Sequence, residues 1–595
     1  MGAGSDRWQE FSGRFGQANL RCVESGTPGS VHVTADVTGL SVVYGHPTVV
    51  SAHERQQSAL KLTLRQILQG GRVNAQSSLR AAFAGALWKP DLGRFVAFRD
   101  KFGQLPVFFY EAQGIVAVAT DPMLIIESFN DDFSPNRRRL AAMMMKSCDF
   151  SRDYFFRNIS RLRARERIRW SLPEMKRECD TYWQPERGDR LKEAPGPATI
   201  RANLRDAVEV NPGDSRIIAL SGGLDSTILA GLEAQLQGQN EGWTATMDSK
   251  LFGSRHQSSQ TAAVARELSL KHFRFDISDH LLVDEKAFDD IPIAWGPLSN
   301  FGEAWLFPFL DAAARRSGRR VMVTGFGADE LFGASRQCLL DALISEPTQT
   351  REFLRVAFRF LSDGRPEVPL KSLFRRLPSR IGEFKRKIRN VHAGIQSWTR
   401  PWNCPERWVR PVDEWCGVSA SVMLEQIPGY PSSPGSAKLA QLSGWERELY
   451  FLSMHRSASM TEVSFSFPML DPVLWEMSVG LPPIFLRTYD TDKLLLRRVA
   501  EELLPEFFWN TPYQREEGVL GSRVLMDEYS RASRLMEDSR LVRLELVDPD
   551  AFLEVWAMLL KRFAECDGPA SVHTPLWRVL AAELWLRRAE DDDRI

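Results

Sequence analysis

Apolar residues follow two different rhythms along this chain. Up to about residue 185 they gather in short runs rich in β-branched and aromatic side chains: Val31–Val37, Phe95–Arg99, Val107–Tyr110 and Ile115–Ala119. Gly and Pro turns separate them, and runs of this kind predict strands. A polar stretch, Glu186–Pro197 (ERGDRLKEAPGP), then reads as a linker. From residue 200 strand and helix alternate. Arg216–Leu220 (RIIAL), Trp243–Thr246, Lys271–Phe275 and Arg320–Thr324 read as strands. Thr227–Leu236, Thr261–Leu268 and Phe307–Arg316 read as the helices between them. Such alternation predicts a parallel sheet with helices on both faces and ligands at the strands' C-terminal ends.

Residues 335–437 break the alternation with an insertion rich in Arg, Pro and Trp. Helices are expected again at Lys438–Met454, Asp492–Leu504, Ala551–Phe563 and Pro575–Leu586. The expected organisation is therefore α/β in two parts: a β-rich region at 1–185, a linker at 186–200, and a doubly wound parallel-sheet region with helical additions at 201–595.

Length agrees, since 595 residues exceed what one hydrophobic core serves. Lys plus Arg and Asp plus Glu both number 76, so the basic excess of a general nucleic-acid or membrane-surface binder is missing. The seven cysteines (Cys22, Cys148, Cys179, Cys338, Cys404, Cys416, Cys566) are scattered and never spaced as CxxC, which argues against a disulfide framework or structural zinc. No run approaches a membrane span and the N-terminal residues lack an apolar signal core, so a reducing cytoplasm is the expected location.

Two loops carry candidate chemistry. Leu220 ends a strand, and Ser221-Gly222-Gly223-Leu224-Asp225-Ser226 follows it and opens a helix. Glycines let backbone N–H groups approach a phosphate at the positive end of that helix. The Lys of the GxxxxGK[ST] loop is missing, and the carboxylate of Asp225 suits a magnesium ion bridging phosphate oxygens instead. The second loop, Thr324-Gly325-Phe326-Gly327-Ala328-Asp329, again sets a carboxylate just past a strand. Asp225 and Asp329 are thus expected to form a magnesium–pyrophosphate clamp; capping of a helix by Asp329 is the plainer alternative.

SGGLDS and TGFGADELFG resemble the pyrophosphatase loop and the GEGADELFGG motif of the asparagine synthetase-like amide ligases. SFPMLDPVLWEMSVGLP (Ser466–Pro482), DKLLLRRVAEELLPEFFW (Asp492–Trp509) and FRDKFGQLPVFFY (Phe98–Tyr110) resemble further motifs of that family, the last from its glutaminase domain. The resemblance implies an N-terminal nucleophile-type β-sandwich followed by an ATP-pyrophosphatase domain that forms acyl-adenylates from ATP with magnesium. It also implies that Thr246 and Met247 lie near the adenosine.

The departures narrow the expectation. Position 2 is Gly rather than the Cys that would be the glutaminase nucleophile, which implies a degenerate glutaminase domain. Phe326 stands where asparagine synthetases carry Glu and β-lactam synthetases Tyr, and it can neither accept a proton nor donate a hydrogen bond. Ser464 falls near the position of a family Glu, with Glu462 close by. The Lys of a late R-x-K motif aligns with Pro512, leaving Lys493 and Arg515 as candidates for its role. The branch that fits is similar to the lasso-peptide cyclases, which close a macrolactam between a peptide's N-terminal amine and an Asp or Glu side chain. Its partners would be a precursor peptide, a leader peptidase and a leader-recognition protein. Ordering such a peptide costs ~1–2 kcal/mol per residue, so an extensive surface must offset it, and Trp398, Trp402 and Trp408 are the expected contacts. A β-lactam synthetase-like ligase and a scaffold that binds nucleotide without catalysis are the alternatives.

Overall fold

The computed structural model describes strand pairs within residues 6–49 and, with short interruptions, residues 79–144, 151–183, 195–333, 445–508 and 528–591. The insertion, Trp398, Trp402, Trp408, Pro512 and Arg515 lie outside the described residues.

In the N-terminal region six antiparallel strands form one sheet: Lys176–Thr181, Glu166–Ser171, Arg94–Arg99, Phe83–Lys89, Gly39–Gly45 and Ser30–Asp36, in that order. A three-stranded sheet of Ile115–Ala119, Phe108–Ala112 and Ile159–Arg161 lies against it. Alternation assigns the faces. Ala84, Ala97, Ile168 and Trp170 meet Phe109 between the two sheets. Phe83, Leu87, Val96 and Phe98 point the other way, into a core shared with the C-terminal region. The arrangement is a sandwich with both outer faces covered.

The second sheet has five parallel strands in the order Lys271–Asp276, Trp243–Asp248, Arg216–Ala219, Val321–Val323, Ser464–Ser466. At its centre Ile217, Ile218, Met322 and Val323 make both faces apolar, as a sheet covered on both sides requires. Ile218 and Val323 face the helices Pro197–Glu209 and Leu224–Gln237. Ile217 and Met322 face the opposite side, against the helix Glu303–Ser317. The helix Pro197–Glu209 begins inside the stretch read from sequence as a linker. From Arg216–Ala219 the chain winds outward in one direction, then returns to place Val321–Val323 on the other flank. The sheet therefore changes direction between these two strands, and their C-terminal ends open on a crevice where ligands bind in such sheets.

Among the described residues no helix is long and apolar enough to cross a membrane.

Candidate active site

Both carboxylate loops emerge at that crevice. In the first, Gly222 has φ +77°, a left-handed turn that glycine adopts without strain. Ser226 ties the turn together: its Oγ accepts from the Ser221 N–H at 3.1 Å and donates to the Gly223 carbonyl at 3.1 Å. The helix Leu224–Gln237 starts there, so Asp225 sits in its first turn. Leu220 follows the strand Arg216–Ala219 directly and is buried, its carbonyl accepting from Thr246 Oγ1 at 2.6 Å. Next to Thr246, Met247 is 39% exposed at the end of the neighbouring strand.

In the second loop, Thr324 N–H donates to the Ser466 carbonyl at 3.0 Å, continuing the sheet pairing. Gly325 brings the loops into contact. A Cβ built there would lie 2.9 Å from the Cβ of Asp225 and 3.3 Å from the Ser226 nitrogen. Gly327, at φ +98°, begins the short helix Ala328–Phe332, and a Cβ on it would lie 2.6 Å from Leu470.

Lys493 joins the two carboxylates. Its Nζ lies 2.5 Å from Asp225 Oδ2 and 2.8 Å from Asp329 Oδ1. Lys493 caps the helix Leu494–Glu501 with left-handed backbone angles, φ +56° and ψ +43°, a conformation uncommon outside glycine and asparagine. Burial disfavours its charge, but Asp225 and Asp329 outweigh that and hold the ammonium above its ordinary value. Burial raises the Asp225 carboxyl while Lys493 opposes it. Asp225 Oδ1 is buried without a hydrogen-bond partner.

Phe326 stands beside this triad within aromatic company. Tyr450 stacks on it at 4.0 Å and 8° between planes, and Phe451 and Phe467 meet it edge-on. The Arg447 guanidinium lies 5.0 Å from its ring centre and also pairs with the buried Glu330.

Leu220, Ser221–Ser226, Thr246, Met247, Thr324–Gly327, Asp329 and Lys493, the residues marked by the motifs, all cluster around the crevice. Ser464 does not: it opens its strand, pairs with Val321 and bonds the Arg320 carbonyl, at the end away from the loops. Glu330, Arg447 and Tyr450 were missed. Glu330 adjoins Asp329 and could have been found with it, whereas Arg447 and Tyr450 follow the insertion and belong to no recognisable spacing.

Comparison with known proteins follows the same division of the chain. The model of the Asparagine synthase family matches residues 199–587, and that of the Glutamine amidotransferase domain matches residues 52–183. A Mycobacterium tuberculosis protein provisionally described as a glutamine-hydrolysing asparagine synthetase is 23% identical over 491 residues, which cover 77% of this chain and 69% of that protein. Amidase chyE of Penicillium rubens is 29% identical over 297 residues, covering 46% of this chain and 42% of its own.

Proposed function

The chain belongs to the asparagine synthase family and forms amide bonds at the expense of ATP, and on that premise we propose that it activates a carboxylate as an acyl-adenylate and closes a macrolactam, as lasso-peptide cyclases do. What carries the first half of this reading is the meeting of the two loops through Gly325, with Lys493 between their carboxylates. Backbone N–H groups of Ser221–Ser226 would hold the triphosphate, with the helix dipole behind them. Leu220, Thr246 and Met247 would flank the adenosine, and Thr324, Gly325, Phe326 and Gly327 would wall the other side.

Two observations fit a divalent cation here: Asp225 and Asp329 already converge on one positive charge, and Asp225 Oδ1 lacks a partner. Among the described residues no group of three or more His, Cys, Asp or Glu could hold a metal. An ion at this place would take two protein carboxylates and complete its shell from phosphate and water, the habit of magnesium. When bound, magnesium supplies neutralisation of the phosphate charge. Lys493 adds a second, permanent cation beside the phosphates and is proposed to steady the departing pyrophosphate.

The macrolactam half rests on two features. Phe326 offers no polar contact for a small amino acid. The insertion at 335–437 falls between the helices Ala328–Phe332 and Trp445–Thr461, which the Arg447–Glu330 ion pair ties together beside the site. An insertion of this length at this point of the chain suits a substrate of peptide size, with Trp398, Trp402 and Trp408 as proposed contacts. The proposed partners are a precursor peptide, its leader peptidase and a leader-recognition protein, met in the cytoplasm. We assign residues 1–185 and 201–595 to the glutaminase-like and synthetase parts.

The test incubates the protein with ATP, magnesium, its neighbouring precursor peptide and the protease. AMP and pyrophosphate should form with a product one water lighter than the peptide, and Asp225→Ala or Asp329→Ala should lower pyrophosphate release about 100-fold or more. ADP and phosphate in their place would refute the adenylate. A linear peptide surviving with the protease active would favour a small-molecule ligase.

A further inference from the structure

Amide formation from an acyl-adenylate needs a group that takes a proton from the attacking amine, and Phe326 occupies the place where a Glu or Tyr stands in similar enzymes. Four side chains surround its ring: Tyr450, Phe451, Phe467 and Arg447. Of these, Tyr450 alone carries an oxygen that can accept a proton. The nearby carboxylates are engaged, Asp225 and Asp329 by Lys493 and Glu330 by Arg447.

We propose that the Tyr450 phenolic oxygen is the general base of the transfer step. The proposal rests on the ligase reading above and names a catalytic residue for it. Position supports it first. Gly325 is in contact with Asp225, Phe326 follows it directly, and so the ring of Tyr450, stacked on Phe326, stands beside the place where the two loops meet. Rigidity supports it second. Two residues before Tyr450, Glu448 is buried and accepts from Arg99 Nη1 at 2.8 Å and Arg161 Nη1 at 3.2 Å, which sets the rotation of the helix Trp445–Thr461. Charge supports it third, because the Arg447 guanidinium is one helical turn from Tyr450 and interacts with it electrostatically.

The step balances. The amine nitrogen forms a bond to the acyl carbon as its proton passes to the phenolate. The bond from that carbon to the adenylate oxygen breaks, and AMP leaves with the electron pair. Tyr450 is then a neutral phenol and returns its proton to solvent after release.

The experiment compares wild type with Tyr450→Phe, which keeps the ring on Phe326 and removes the oxygen. Two probes are used with ATP and magnesium: a synthetic peptide with a free N-terminal amine and one internal Glu, and its N-acetylated form with hydroxylamine. Hydroxylamine is unprotonated at neutral pH and traps the adenylate as a hydroxamate without a base. The ratio of cyclised peptide to hydroxamate should fall about 100-fold or more in the variant. Cyclisation at the wild-type ratio overturns the proposal, and so does a parallel loss of both products, which would mark Tyr450 as structural. A wild-type protein that makes neither product overturns the ligase reading and this proposal with it.

Discussion

A Cβ on Gly325 would lie 2.9 Å from the Cβ of Asp225, closer than two such carbons approach. Gly325→Ala must therefore push the loops apart. It should weaken ATP binding about tenfold in calorimetric titration and lower stability by about 1–3 kcal/mol in denaturant unfolding. An unchanged affinity would mean that the loops need not touch. Sequence alone marks Gly325 as part of a loop but not why it is glycine, because its neighbour in space is a hundred positions away. Lys493 shows the same limit. It was legible as a candidate cation, yet its contact with both carboxylates depends on a left-handed turn that nothing in DKLLL announces.

Among the elements, the helix Trp445–Thr461 runs past its expected end, since the apolar pattern closes it at Met454; residues 438–444 lie outside the described residues. Pattern reading counts apolar positions, and this helix buries polar ones as well. Glu448, Ser453, Arg456, Ser457 and Thr461 are all buried beside Leu449, Phe451 and Leu452. Their partners come from elsewhere in the chain: Arg456 bonds the Gly296 carbonyl and Glu303, and Glu448 takes Arg99 and Arg161. Four of the five strands of the parallel sheet and the helices between them are legible to within a few residues because their periodicity is local, whereas the short edge strand Ser464–Ser466 is not. Glu448→Gln should be costly, since it leaves two arginines, each fully buried, with their counter-charge gone. A loss of about 3–5 kcal/mol in urea unfolding is expected. Adding Arg161→Met should recover part of it, and additivity of the two changes would sink the idea of a coupled cluster.

For the whole molecule, the two regions share their cores. Phe83, Leu87 and Phe98 pack with Leu204, Phe332 and Trp475, while Phe108, Tyr154 and Phe156 pack with Trp577, Leu580 and Trp585. Lys101 lies buried at this boundary, over the Trp183 ring, with Asp471, Glu476 and Asp100 attracting and Arg80 repelling its charge. Burial dominates and brings it down to about 7 from the ordinary 10.5. The unfolded chain therefore binds this proton more tightly, and stability should rise as pH goes from about 7 toward 10. Lys101→Met should flatten that rise in thermal melts, and an identical slope would assign it to other groups. The sharing of cores also bears on biosynthesis. The aromatic residues Phe108–Phe156 are covered by the helix His573–Glu590. At about 5–20 residues per second the ribosome needs roughly 20–80 s to make the chain between them. Through that interval a nascent chain would carry a sticky, half-covered sandwich, the kind of apolar surface a chaperone shields, until the helix His573–Glu590 has been made.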